Sequence, residues 1–217
     1  MADYLEKTEA IPGVGKAKVT RIWNGDIRPT QMIPSEGVKE WYESTMDTLP
    51  EEIAKWLTSV YTAAAEKKLT TGGTVLLTIL DSAYGAASDT LIKTVQNEID
   101  PTENAGDGYG LAPIGHVVSV RSAAEIRIHV KTKITFDTGY GWNNLQTAID
   151  EAVSDYLLTL RKSWAASPCL IVRISQIETR ILDIPGIIDI QDTSVNGKED
   201  NLILGTYEIP VYGGAGE

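Results

Sequence analysis

Cysteine, histidine and long apolar runs are all scarce in this sequence. Its 217 residues include one cysteine, Cys169, and two histidines, His116 and His129. A single cysteine excludes an intrachain disulfide and a thiolate metal cluster, and two histidines fall short of the four ligands of a usual structural zinc site. No stretch approaches the roughly 20 apolar residues of a membrane-spanning helix. We therefore predict no cofactor, no metal centre and no membrane partner.

Positive charge is also in short supply. There are 19 Lys and Arg residues against 30 Asp and Glu residues, for a formal net charge of −11. Binding a nucleic-acid backbone requires dense positive charge, so the composition argues against a nucleic-acid partner. It suits a protein that binds other proteins. The first residues, Met1 to Lys7, lack a signal-peptide pattern and read like the middle of a helix, so we expect a fragment of a longer protein or a shortened relative.

One short phrase occurs twice, near opposite ends of the chain. Ile11-Pro12-Gly13-Val14 returns as Ile184-Pro185-Gly186-Ile187. Each copy follows a helix-like run and precedes an alternating, strand-like run. Pro cannot continue a helix and Gly readily adopts the left-handed conformation of a helix cap, so the phrase predicts a helix–turn–strand unit. Its recurrence predicts two related modules and carries no catalytic apparatus.

Hydrophobic periodicity predicts alternating helices and strands. The most regular helical pattern runs from Trp142 to Trp164, with one apolar stripe (Leu145, Ile149, Val153, Tyr156, Leu157, Leu160). Thr74 to Leu80 is typical of a buried strand, and Ile126 to Phe136 alternates with period two. Ser88 is a predicted helix cap, and Thr48 to Glu51 fits a capping box.

These elements favour an α+β fold in which helices pack on antiparallel or mixed sheets. We predict a first module over residues 1–122, which carries a helical insertion at about 26–73, and a second module over residues 123–217. Small residues between two strands, Ser122-Ala123-Ala124, mark a hypothetical hinge between the modules.

The predicted insertion carries an unusual share of the aromatic residues. Trp41, Tyr42 and Trp56 all fall within it. Aromatic side chains are enriched at protein–protein contacts, so these three are candidate interface residues. Local packing explains the same pattern equally well, and both interpretations stay open.

The segment Glu103 to Gly110 is rich in glycine and acidic residues, which leaves three interpretations. Its spacing does not fit an EF-hand loop, although its oxygens would suit a cation. A phosphate-binding loop leads into a helix N-terminus, whereas this segment leads into a strand. A structural loop is the interpretation that the pattern favours.

Three longer motifs resemble a known family. They are residues 108–120 (GYGLAPIGHVVSV), residues 170–182 with the following turn (LIVRISQIETRIL) and residues 201–211 (NLILGTYEIPV). Together they are similar to the baseplate J-like proteins of phage tails and tail-like particles of Gram-positive bacteria, and they match the C-terminal portion of that family. Most of the chain resembles it, except the segment from Asp26 to Gly73.

The resemblance implies a structural subunit of a contractile-tail baseplate wedge, made in the bacterial cytoplasm and located in the virion tail. It implies other baseplate and tail proteins as partners, copies of this chain among them, and no catalytic residues or small-molecule substrate. Two alternatives remain: a host-surface binding module that uses the aromatic residues of the insertion, and a tail-associated cell-wall hydrolase, supported only by acidic pairs and tryptophans.

Overall fold

The computed structural model describes residues 2–21, 34–65 and 73–216. These contain six α-helices: α1 (Ala2–Glu9), α2 (Glu36–Thr45), α3 (Glu51–Ala65), α4 (Asp89–Ile99), α5 (Trp142–Ser163) and α6 (Ile174–Leu182). They also contain eight strands: β1 (Val14–Arg21), β2 (Thr74–Asp81), β3 (Val117–Ser122), β4 (Ala124–Phe136), β5 (Ile171–Val172), β6 (Ile187–Val195), β7 (Leu202–Ile203) and β8 (Glu208–Gly216). The protein has the predicted α+β fold.

The first sheet has the order β1-β2-β3. Its central strand, β2, pairs antiparallel with β1 and parallel with β3. Helix α4 connects the parallel pair, as a parallel connection requires. One face of the sheet is covered by α1 and α4, where Tyr4, Val95 and Ile99 join the buried side chains of β2.

The second sheet has the order β6-β4-β8 and repeats this arrangement. Its central strand, β4, pairs antiparallel with β6 and parallel with β8. The inward face contains alternate β4 residues, Ile128, Val130 and Ile134, which pack with side chains of α5 and α6. The period-two prediction for this strand is confirmed. A separate two-stranded sheet joins β5 to β7.

The twice-occurring turn has the same geometry in both sheets. Gly13 has φ +95° and Gly186 has φ +97°. In both turns the residue after the glycine donates its amide to the carbonyl three positions earlier, at 3.1 Å for Val14 to Ile11 and 3.2 Å for Ile187 to Ile184. Each turn leads into the strand that pairs antiparallel with the central strand of its sheet. The predicted helix–turn–strand unit is therefore present twice.

The stripe predicted on the longest helix lies in the core. Ile149, Val153, Tyr156 and Leu157 of α5 are buried, and Leu145 and Leu160 pack at the margin of the same cluster. Trp164, which follows the helix in a 3-10 turn, is fully buried.

Two sequence predictions about helix starts have different outcomes. The Ser88 Oγ accepts a hydrogen bond from the Leu91 amide at 3.2 Å, which confirms the cap of α4. The capping box at Thr48 is wrong, because the Thr48 hydroxyl donates to the Thr45 carbonyl at 2.7 Å and α3 begins at Glu51. A 3-10 turn, Met46–Thr48, includes the predicted cap residue.

Candidate interaction surfaces

The first surface belongs to α2 and α3, which a short turn joins into a helical hairpin over residues 36–65. Only Ala64 of this hairpin is buried. The exposed side chains include large apolar ones: Val38, Trp41, Ile53, Trp56 and Val60. A helix pair with so little buried surface gains little stability from the rest of the chain.

The three aromatic residues predicted for this segment have different environments. Trp56 is 65% exposed and Trp41 is 48% exposed. Tyr42 instead stacks on Tyr61, with ring centroids 3.7 Å apart and planes within 7°, and its hydroxyl donates to Thr58 at 3.1 Å. Tyr42 therefore holds the hairpin together, while the two tryptophans present their rings to solvent.

The second surface is the loop between α4 and β3, which contains the glycine-rich segment 103–110. The buried carboxylate of Asp100 accepts hydrogen bonds from the amides of Gly106 at 3.0 Å and Val118 at 2.8 Å. The Gly115 amide closes the loop on the Gly106 carbonyl at 2.8 Å. The loop exposes Tyr109, at 75%, and Ile114, at 82%.

This geometry accounts for the segment as a fixed structural loop. Asp100 uses both carboxylate oxygens on backbone amides, and these two bonds fix the start and the end of the loop. Within the described residues there is no group of three or more His, Cys, Asp or Glu side chains that would hold a metal ion. Sequence reasoning missed the role of Asp100, because its two partners lie six and 18 residues away.

The two histidines lie in different parts of the fold. His116 precedes β3, and its Nδ1 lies 2.8 Å from the Tyr4 hydroxyl, with which it shares a hydrogen bond. Burial, with a smaller contribution from the Asp100 charge, raises the pKa of Tyr4 above its ordinary value. His129 is exposed on β4. The structure therefore does not bring the two imidazoles together.

The third surface is internal. It is the sheet junction, the contact between the first and second sheets formed by Lys18 and Thr20 of β1, Arg121 of β3, Trp164 and Tyr207. The Lys18 Nζ donates to the carbonyls of Ser167 at 2.7 Å and Thr206 at 2.8 Å. It also lies 4.5 Å from the centroid of the Trp164 ring. Burial lowers the pKa of Lys18 below its ordinary value.

Tyr207 completes the junction from the other side. Its hydroxyl donates to Thr20 Oγ1 at 2.9 Å, and the Arg121 guanidinium lies 4.3 Å from the centroid of its ring. Between these contacts the chain passes from one sheet to the other at Ala123, which is buried. The Ala123 amide donates to Ile79 at 3.2 Å and the Ala124 amide donates to Tyr207 at 2.9 Å, so adjacent residues pair with different sheets.

One carboxylate of α5, that of Asp150, accepts a hydrogen bond from a tyrosine. The Tyr212 hydroxyl donates to Asp150 of α5. Burial, followed by this hydrogen bond, raises the pKa of Tyr212 well above its ordinary value. Asp150 belongs to one of the acidic pairs on which the hydrolase alternative rests. Its hydrogen bond with Tyr212 joins α5 to β8.

Fold and sequence together define the class of this protein. The model of the baseplate J-like protein C-terminal domain matches residues 128–215, and the model of the baseplate J-like central domain matches residues 51–122. The chain belongs to the baseplate J-like family. The central-domain match includes α3, whereas α2 lies outside both matched ranges.

Two individual relatives come from Bacillus subtilis (strain 168). The chain is 26% identical over 210 residues to the phage-like element PBSX protein XkdT of Bacillus subtilis (strain 168), covering 97% of this chain and 45% of that protein. It is 28% identical over 212 residues to the uncharacterized protein YqbT of the same organism, covering 98% of this chain and 46% of that protein. The chain thus spans less than half the length of these relatives.

A solved structure is also similar. It is a chain of the anti-feeding prophage (AFP) baseplate, determined by cryo-electron microscopy with 6-fold symmetrisation. The match has a TM-score of 0.48 and 9% identity, and it covers 97% of this chain and 36% of that chain. In the described part of this protein, no helix is long and apolar enough to cross a membrane.

Proposed function

We propose that the protein is a structural subunit of a contractile phage tail baseplate, or of the baseplate of a tail-like particle. The observation that carries this proposal is membership of the baseplate J-like family, with matches to two of its domains. The relative XkdT is a protein of a phage-like element, which supports the same setting. The subunit is made in the bacterial cytoplasm and acts in the virion tail.

In this role the chain works through protein–protein contacts and is not an enzyme. Its partners are other baseplate and tail proteins, copies of itself among them, and not nucleic acid, membrane or a small-molecule substrate. The rigid loop that exposes Tyr109 and Ile114, and the hairpin that exposes Trp41 and Trp56, supply apolar contact area suited to such partners.

The mechanical part of the proposal concerns the two modules, residues 1–122 and 123–217. Each module has its own sheet, and Ala123 is the pivot between them. The sheet junction combines polar and cation–π contacts with apolar ones, since Leu80 and Tyr84 of the first module pack in the hydrophobic cluster of the second. Rotation about the pivot would transmit a change in one baseplate neighbour to another when the sheath contracts.

We propose that the segment at about 26–73 adds a contact with a neighbouring protein, with Trp41 and Trp56 as its anchors and Tyr42 as its internal support. The central-domain match includes residues 51–73, so this part of the predicted insertion belongs to the family and is not an addition to it. The exposure of both tryptophans equally favours the second candidate function, in which the hairpin binds a host surface. The two candidates predict different defects when the tryptophans are removed.

Deleting the coding sequence from the source cells and complementing it with the wild-type gene tests the structural role. Tail particles released after induction would be counted by negative-stain electron microscopy. The expected result is loss of complete baseplates with restoration on complementation. Normal particle numbers and normal contraction in the deletion strain would contradict the proposal.

A further inference from the structure

The outward face of the second sheet carries a row of basic side chains. Arg127, His129, Lys131 and Lys133 are alternate residues of β4, and all four are exposed. We define them as the basic row. At about 3.3 Å per residue it is about 20 Å long. The opposite face of the same strand is buried against α5 and α6.

Three exposed acids lie beside the basic row, Glu125 of β4 and Asp189 and Asp192 of β6, and none of them forms an ion pair in the described residues. Among the described residues, none of Arg127, Lys131 and Lys133 takes part in an ion pair. The acids nearest each end of the strand have partners of other kinds: Glu125 accepts from the Ala86 amide at 3.2 Å, and Asp189 accepts from the Gln191 side chain at 2.9 Å.

The neighbouring strands leave the basic row accessible. Lys131 and Lys133 lie opposite Ser194 and Gln191 of β6. On the other side, β8 contributes glycines. A Cβ at Gly213 would lie 2.8 Å from the His129 ring, so the imidazole occupies the space above that glycine. In a protein with a net charge of −11, an uncovered cationic strand face of this length is a site for an acidic partner.

A complementary surface is present on the same chain. Glu36, Glu40, Glu43 and Asp47 are spaced i, i+4, i+7 and i+11 along α2 and the turn that follows it. At 100° per residue these four positions fall within one narrow face of a helix, about 17 Å long. All four are exposed. We define them as the acidic stripe.

We propose that the acidic stripe of one copy docks along the basic row of a second copy. Glu36 already pairs with Lys39 at 2.9 Å, which leaves three acids of the stripe for the three permanent cations of the row, Arg127, Lys131 and Lys133. The two surfaces are similar in length, and no ion pair joins them within one copy in the described part of the chain. Because the two surfaces differ, the contact is head-to-tail, so repetition generates a ring or an open chain. The inference rests on the proposed function, in which copies of this chain are partners. It adds which surfaces of two copies meet.

Charge reversal tests the contact directly. One variant, Lys131→Glu with Lys133→Glu, reverses the basic row, and another, Glu40→Lys with Glu43→Lys, reverses the acidic stripe. The control, Arg173→Glu with Lys198→Glu, makes the same change in net charge at two exposed basic residues outside the row. Circular dichroism and thermal unfolding would verify that each variant folds.

Sedimentation of the purified chain would be measured from micromolar to millimolar concentration in about 50 mM salt, where screening is weak. We expect the wild type and the control to associate above the 23.6 kDa monomer, and high salt to reverse the association. Each reversed variant alone should associate at least about tenfold more weakly, because like charges then meet. An equal mixture of the two should associate again, since each then offers an opposite charge to the other.

A wild type that remains monomeric throughout, or reversed variants that associate like the control, would overturn the inference. So would a mixture that fails to recover. Measuring how much of each variant enters tail particles distinguishes a failure of the docking contact from a failure of the proposed function. If the wild type enters particles and the row variant enters equally well, the docking contact is wrong. If the wild type itself is absent from particles, the structural role is wrong.

Discussion

Leu157 is 1% exposed in the middle of α5, between the second sheet and α6. Truncating it to alanine removes buried methyl groups and leaves a cavity that rigid neighbours fill incompletely. We expect Leu157→Ala to lower the free energy of unfolding by about 2–5 kcal/mol, measured by urea denaturation. Leu182→Ala, at a position that is 42% exposed, is the matched control and should cost less than about 1 kcal/mol. Equal losses at the two positions would contradict the assigned core.

Gly186 is the residue on which the second copy of the repeated turn depends. Its φ of +97° is unfavourable for any side chain, and an added Cβ would lie 2.6 Å from the Tyr140 ring. Gly197 also has positive φ, +74°, but a Cβ there meets nothing within 4 Å. We expect Gly186→Ala to cost about 1–3 kcal/mol and Gly197→Ala about 1 kcal/mol. The difference in thermal midpoint between the two variants checks this; a larger effect at Gly197 would contradict it.

These residue-scale features show what the sequence could reveal and what it could not. The stripe that includes Leu157 follows from helical period, and the turn at Gly186 follows from the local chemistry of Pro and Gly, so both were predictable. The carbonyl partners of Lys18 and the amide partners of Asp100 depend on chain segments brought together only by folding. Neither residue is distinguishable in the sequence from an ordinary surface charge.

At the scale of single elements, two helices begin with serine in different ways. Ser88 accepts a hydrogen bond from Leu91, whereas Ser35 precedes α2 without a side-chain cap bond. We expect Ser88→Ala to cost about 0.5–2 kcal/mol and Ser35→Ala to have almost no effect, because only the first leaves an amide unsatisfied. Chemical denaturation followed by circular dichroism measures both. A comparable loss at Ser35 would show that the cap geometry is misassigned.

The aromatic residues of the hairpin have two roles. Tyr42 holds the two helices together, whereas Trp41 and Trp56 are exposed. Replacing both Trp41 and Trp56 by alanine should leave the thermal midpoint nearly unchanged, because both are exposed, and should reduce incorporation into particles severalfold. Tyr42→Ala is the contrasting variant: it should destabilise the hairpin itself by removing the stack on Tyr61. Particles that assemble normally from the tryptophan variant but fail to adsorb to host cells would instead support the host-binding candidate.

Whether a segment forms a helix or a strand was easier to predict from the sequence than where that element begins or which strand it pairs with. The strand patterns at β2 and β4 were correct because a pleated strand buries alternate residues or, in a covered sheet, nearly all of them. The capping box at Thr48 failed because the same serine- and threonine-rich chemistry also stabilises a 3-10 turn. Strands β4 and β8 pair in parallel, although about 80 residues separate the paired positions along the sequence. No local pattern predicts such a pairing.

At the scale of the whole molecule, Lys18 of the first sheet donates to the carbonyls of Ser167 and Thr206, which lie beside the second sheet. We expect Lys18→Met to speed amide hydrogen exchange in β1 and around residues 204–208 while leaving α5 protected, because the junction opens without unfolding either core. Lys16→Met is the control, since Lys16 pairs with Glu9 of its own module. Unchanged exchange at the junction, or equal effects of the two variants, would contradict the role assigned to Lys18.

The central claim is that this chain is a structural part of a tail baseplate, and its presence in purified particles tests that most directly. Tail particles would be isolated from induced source cells and analysed by quantitative mass spectrometry against labelled peptides of this chain and of the tube protein. We expect a fixed copy number that is a multiple of the rotational symmetry of the particle. Absence of the chain from intact particles, or a trace amount that varies between preparations, would contradict the account.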